Sequence, residues 1–443
     1  MAYKYFPHTQ EDLDQMLKVA GVKTLADLYA EVPEQLKLKG GYNIPSEMSE
    51  LEIRNLLNSL GAKNKQLVCF AGAGAYDHYT PAVINYITQR SEFLTSYTPY
   101  QAEISQGTLQ YIFEYQTLMA DLTGMDVSNA SMYDGATATA EAMIMAVASA
   151  RKRDKVLISS TVNPAVIRVA ETYAKYHGID LQQIPAVNGQ TDFAWLKEEL
   201  AKGETAGVIV AQPNYYGIVE DFTGVADMCH ENKALFIVNA PASTLAVLRT
   251  PGEWGADIAV GDAQSLGIPV SFGGPYLGYF CVKEPLLRKM PGRIVGGTTD
   301  TKGNRTFVLT MQAREQHIRR QKATSNICSN QGLMTLFVTI YMSLMGPEGL
   351  KEVNELSYDG AHYLYDELIK TGKFTPAFEG TTFFNEFCVK TTLNVDKLQE
   401  SLADKGFLCG VKPEGVDNAI LFAVTEQRSK AEIDKLVSLI KEA

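Results

Sequence analysis

AGVIVA at 206–211, LFIV at 235–238 and YFCV at 279–282 decide the fold of this 443-residue chain. Each run is apolar throughout and too short for a helix, and KVLIS at 155–159 has the same texture. Amphipathic helical stretches separate them. Strands alternating with helices imply an α/β fold, a mainly parallel sheet with helices on both faces. Ligands then gather at the strand ends.

The pattern changes on either side of this region. Thr9 opens a helical stretch with Leu13, Met16, Leu17 and Ala20 on one face and Gly21 at its end. Ser49 and Glu52 form a capping box for a second helix carrying Ile53, Leu56, Leu57 and Leu60. Residues 1–65 therefore read as a helical arm suited to wrapping a partner. The large α/β domain takes 66–332. Residues 333–443 offer a long helix, a strand at 385–390, a helix at 395–405, a strand at 419–424 and a last helix, the parts of a smaller α/β domain.

Composition excludes several classes. A formal charge of -11 opposes general binding of nucleic acid or an anionic membrane. Cys69, Cys229, Cys281, Cys328, Cys388 and Cys409 are scattered, with no metal-ligand spacing, and read as reduced thiols of a cytoplasmic protein. No metal site is expected. The first residues hold no apolar leader, and no uninterrupted apolar run reaches the length of a membrane span.

Two dense polar segments stand out, YTPYQAEISQGTLQ at 97–110 and REQHIRRQKATSNICSN at 314–330. Such groups suit a preorganised pocket for a small anion. A charge run such as 314–320 more often forms a solvated or salt-bridged face. His317 reads as a structural histidine, His78 as a residue at a site mouth, and Glu103 as a possible helix cap. Met143 and Met145 read as core. SMYDGATATAEA at 131–142 places Gly135 and Thr137 at the start of an Ala-rich helix, whose free N–H groups make a phosphate seat. The segment 262–278 follows a strand-like run and holds glycines that permit close backbone approach.

Taken in order, FAGAGAY at 70–76, the 97–110 segment, LTGMDVSNASMYDGATA at 122–138, GGP, PGRIVG at 291–296 and the 314–330 segment resemble the P-protein of the glycine cleavage system, glycine decarboxylase. The resemblance covers nearly the whole chain, which is about half the length of the single-chain form. It is similar to subunit 1 (α) of the two-subunit bacterial type. That implies the fold-type I architecture of pyridoxal-phosphate enzymes. It also implies a reaction in which glycine forms a Schiff base with the cofactor, loses carbon dioxide, and passes its aminomethyl group to the lipoyl arm of H-protein.

Three positions depart from the catalytic pattern that the resemblance implies. Gln264 stands where a lysine would form the imine, and neither its amide nor Ser265 can do so. Asn239 stands where an aspartate would hold the pyridine nitrogen protonated, and Asn163 where a histidine would stack on the ring. With Gly135 and Thr137 they make a vestigial cofactor seat. The expectation is that subunit 2 (β) holds the pyridoxal phosphate, in an α2β2 assembly. This chain would lend Tyr97, Thr98, Tyr100, Gln101, Ser105 and Gln106 across the interface, with Arg319, Arg320 and Lys322 as second choices. Two other readings compete: a scaffold without a catalytic part, and a self-sufficient enzyme using Lys322 or Lys302.

Overall fold

The computed structural model describes residues 7–150 and 152–443, so the first six residues of the expected arm lie outside the described residues. The chain divides into two compact units at Lys65/Gln66. In the first, helix Gln10–Ala20 is opened by a Thr9–Asp12 capping box and closed by Gly21 in the left-handed region. Helix Glu50–Gly61 begins with the Ser49–Glu52 capping box. Neither helix buries a side chain, and Leu25, Tyr29, Leu36, Tyr42, Leu51 and Leu57 are all exposed.

The second unit is built on seven strands: β1 (Val127–Ser128), β2 (Lys155–Ser159), β3 (Asp180–Ile184), β4 (Thr205–Ala211), β5 (Leu235–Asn239), β6 (Ile258–Asp262) and β7 (Gly278–Val282). Their order is β1-β7-β6-β5-β4-β2-β3. All are parallel except β7, which runs antiparallel to both neighbours. The apolar runs have no alternation because both faces are covered. Ile158, Ile209 and Ile237 join one core, while Leu157, Val208, Val210, Phe236 and Val238 join the core on the other face.

Four helices position the sites. α1 (Gln106–Thr123) buries Leu109, Ile112, Tyr115 and Met119 and ends at Gly124 in the left-handed region. No side chain caps its start, Glu103 included. α2 (Gly135–Ser149) and α3 (Pro164–His177) pack on the first face of the sheet, with Met143 and Met145 in the core as expected. α4 (Gly332–Lys370) bends at Gly346–Pro347. By length and composition α4 could cross a membrane, unlike any uninterrupted run foreseen in the sequence. Its first half places Val338, Tyr341 and Met342 in the core beside β7, and its second half buries Ala361, Leu364 and Leu368 under the small sheet.

That small sheet joins Phe374–Pro376, Glu386–Thr391 and Ala419–Ala423, with helices Val395–Asp404 and Lys430–Glu442 completing its core. Val68 and Cys69 pair with Phe407 and Leu408, which draws the segment before the Ala71–Tyr76 turn into this layer. A hairpin of Ile294–Thr299 and Arg305–Thr310, not foreseen from the sequence, lies along α1. Two amides of α1 zip it in place. Gln116 exchanges two 2.9 Å hydrogen bonds with the Val295 backbone, and Gln106 exchanges bonds of 2.8 and 2.9 Å with Phe307.

The turn at Gly217 (φ +82) presses against the Glu386 carbonyl of the small sheet, where a side-chain Cβ would collide with that oxygen. Gly217→Ala therefore combines left-handed strain with a backbone clash. Its expected cost is about 3 kcal/mol, read as a lower denaturation midpoint with an unchanged slope on denaturant.

Candidate functional site

The ends of β4, β5 and β6 deliver Ala211, Asn239 and Asp262 to one rim of a cavity of about 280 Å³. The starts of α2 and α3 and the 73–76 turn supply the rest, including Gly135, Asn163 and Tyr76. Open α/β sheets bind ligands outside the carboxyl ends of their strands, which is where this cavity lies. Asn163 and Asn239, read as vestigial cofactor residues, do meet here. Asn239 donates to Thr139 Oγ1 at 2.7 Å, while Asn163 caps α3 and donates to the Ala73 carbonyl at 2.8 Å.

Gln264 is elsewhere. It is buried behind the rim, donating to the carbonyls of Tyr76 (2.9 Å) and Ile268 (2.8 Å) and accepting the Tyr76 N–H at 2.8 Å. The amide thus ties the 73–76 turn to the segment after β6, and its hydrogen-bonding capacity is used inside the protein. Ser265 accepts the Ser243 N–H and is buried too. Lys302 and Lys322 are exposed and line no part of the cavity.

The expected phosphate seat at the start of α2 is taken by the protein's own carboxylates. Asp134 accepts the Thr137 N–H at 2.7 Å, and Asp262 accepts the Gly135 N–H at 3.1 Å and the Gln264 N–H at 2.8 Å. Gly135 permits this approach, since a Cβ there would sit 2.8 Å from the Asp262 nitrogen. Burial pushes the Asp262 carboxyl up to about 7, against the pull of those N–H donors. Glu386, on the small sheet, closes the opposite wall. It accepts the Ala73 N–H (2.6 Å) and the Tyr76 hydroxyl (2.8 Å), and burial raises it to about 7 as well. Among the described residues no lysine, arginine or histidine lines this cavity. A phosphorylated cofactor does not fit such a wall, because its dianion would face three carboxyl groups without a counter-charge.

The two polar segments do come together, away from that cavity. The Tyr97 hydroxyl lies 3.0 Å from Ser329 Oγ, and the Tyr100 ring meets His317 edge-on. Thr98 lines a smaller cavity between the segments, whereas Gln101 is exposed. Gln106 faces inward as the hairpin clamp, and Ser105 stands at the α1 start without capping it. Arg319 bonds the Ala313 carbonyl, and it, Arg320 and Lys322 are solvent-exposed, the ordinary fate of a charge run. His317 is partly exposed with Glu315 as its partner. His78 lines neither cavity, because its Nδ1 is held 2.6 Å from Glu426, just beyond the last strand of the small sheet. Burial works to raise Glu426, yet the hydrogen bonds and charge of His78 leave it below the usual carboxylate range.

Sequence reasoning missed Asp134, Asp262, Glu386 and Arg293. Asp262 follows the glycine-permissive strand end and was within reach of a sequence reading, whereas Glu386 enters the site only through tertiary contact.

The family model described as glycine cleavage system P-protein matches residues 3–440. A relative named probable glycine dehydrogenase (decarboxylating) subunit 1, from Geobacillus thermodenitrificans, is 48% identical over 99% of this chain and 98% of its own. The crystal structure of a glycine decarboxylase (P-protein) of the glycine cleavage system, in inhibitor-bound form, matches with a TM-score of 0.90 and 40% identity, over 99% of this chain and 100% of that one. An alanine–glyoxylate aminotransferase from Nostoc sp. shares the fold, with a TM-score of 0.62 at 15% identity, over 86% of this chain and 96% of that one. The architecture is fold-type I.

The Asp262 carboxyl is held above its ordinary value of 3.8, so the native state binds its proton more tightly than the unfolded chain. Its contribution is complete below about pH 4 and lost as pH rises through about 7. Asp262→Asn is expected to remove part of the fall in stability between those limits, on the order of 1–3 kcal/mol, in melts recorded across pH.

Proposed function

This chain belongs to the glycine cleavage system P-protein family, in its subunit 1 branch, and on that premise we propose that it works only in company with a subunit 2. Together the two decarboxylate glycine, with pyridoxal phosphate bound by subunit 2, and hand the remaining aminomethyl group to the lipoyl arm of H-protein. The observation that carries this division of labour is Gln264. Among the described residues no lysine lines the cavity at the strand ends, and the amide that the resemblance gives to the lysine position cannot form an imine and is spent on three internal hydrogen bonds behind the rim. Asn239 brings no charge to a pyridine nitrogen, and Asp262 fills the place where a phosphate would rest.

What this chain lends is the exposed turn around Tyr97. Tyr97, Tyr100 and Gln101 are exposed while the two tyrosine hydroxyls are pinned by Ser329 and Arg293 and Thr98 backs them at the cavity, so the ring faces and the Gln101 amide are what a neighbouring subunit would meet. Tyrosine and amide groups held in this way can orient a small zwitterion without freezing flexible side chains at each turnover. Gln106 and Ser105 take the supporting role, and Arg319, Arg320 and Lys322 form part of the wet rim. The arm, with apolar side chains and nothing of its own to bury them in, clasps subunit 2 in an α2β2 assembly. Six unpaired thiols suit the cytoplasm.

Purified with pyridoxal phosphate, the chain alone should show no cofactor absorbance. After borohydride reduction of the assembled complex, peptide mapping should place the label on subunit 2 only. A labelled lysine in this chain, or glycine decarboxylation by it alone, would overturn the reading. Tyr97→Phe and Gln101→Ala distinguish a lending subunit from a scaffold: turnover of the complex should fall about tenfold or more while assembly is retained. Removal of residues 1–65 should abolish co-purification with subunit 2 while the remaining chain keeps its circular dichroism.

A further inference from the structure

Between the two polar segments lies a buried imbalance of charge. Arg293, only 4% exposed, points its guanidinium into a cavity of about 120 Å³ that Tyr97, Thr98, Ser329 and Asn330 also line. Its Nη2 donates to the Tyr100 hydroxyl at 3.1 Å and approaches Cys328 Sγ at 3.8 Å, while Nη1 reaches Asn330 Oδ1 at 3.4 Å. These partners are neutral or weak. Its Nε has no hydrogen-bond partner and stands 4.0 Å from Glu315.

A second guanidinium shares the neighbourhood. Arg314 donates to the carbonyl of Gly292, the residue before Arg293, at 2.8 Å, and its Nε is likewise buried without a partner. Burial pulls Arg314 down to about 10, against the opposing charge of Glu315. Among the described residues Glu315 is the one carboxylate within 4.0 Å of either arginine, and its Oε2 also serves His317 at 3.4 Å. Two guanidinium groups therefore share one carboxylate, and orphaned buried donors of this kind call for an acceptor.

We propose that Arg293, backed by Arg314, is a subsite for one small carboxylate. The excess is a single positive charge, which a monoanion balances and a phosphate dianion would overshoot. A planar carboxylate matches the fork of a guanidinium, and the confined space admits a short acid rather than a nucleotide. The acid arrives from one of two sources, a free small acid or an acidic side chain of a docked subunit. The subsite does not depend on the division of labour proposed above.

The test uses the full-length chain, first alone and then assembled with subunit 2, at constant ionic strength. Acetate should raise the melting temperature of the chain and bind by calorimetry, whereas neutral acetamide should do neither. Arg293→Lys keeps the charge and loses the fork, and Arg314→Gln removes the second cation. Both should weaken acetate binding about tenfold or more, while the exposed-site control Arg288→Gln leaves it unchanged. In the complex, acetate binding that persists and competes with glycine identifies a free acid as occupant. Binding lost on assembly identifies a carboxylate of subunit 2. Acetate and acetamide acting alike on the isolated chain, or Arg293→Lys binding acetate as well as the parent, would overturn the proposal. The acetate and acetamide contrast needs no variant, so a misfolded substitution cannot obscure it.

Discussion

The carboxylate of Asp262, set against the first N–H of α2, is the contact on which the rest of this sheet end depends. A helix N-terminus pointing into a cavity needs an acceptor, and fold-type I enzymes offer it to a ligand. Here the acceptor is covalently part of the chain. The strand end, the helix start and the Gln264 backbone are thereby joined by a side chain of the protein itself, at the rim of a cavity that three carboxyl groups line.

Closing that seat frees other residues for structure. Gln264 holds the 73–76 turn by both of its backbone groups, and that turn in turn gives Glu386 its two donors. The large sheet and the small sheet are locked together through this turn. The polar character has moved to the Tyr97 turn and the 314–330 segment. There the hairpin, clamped by Gln106 and Gln116, carries Arg293 into a buried position beneath them. A surface loop needs such a base before it can present side chains in a fixed geometry to another molecule.

Much of this could be read from the sequence. The strands at 155–159, 206–211, 235–238 and 279–282 are legible because both faces of the sheet are covered, which makes them apolar throughout. The Thr9 and Ser49 caps are legible because a capping box is local. The hairpin at 294–310 is not, since its strands mix glycine, threonine and apolar residues and gain their order from glutamines about two hundred positions away. His78 looked like a site residue because it follows the glycine-rich 70–76 turn. Its partner, Glu426, is 348 residues further along the chain.

The sequence by itself determined the fold class and the family, because short-range patterning and the chemistry of a side chain travel with the residue. Only the tertiary structure decided which groups meet at the sheet end. That Asp262 accepts the first N–H of α2, that Gln106 clamps the hairpin, and that Arg293 is buried with an orphaned donor are facts about distance. Distances between residues far apart in the chain are set by packing, which no local pattern encodes.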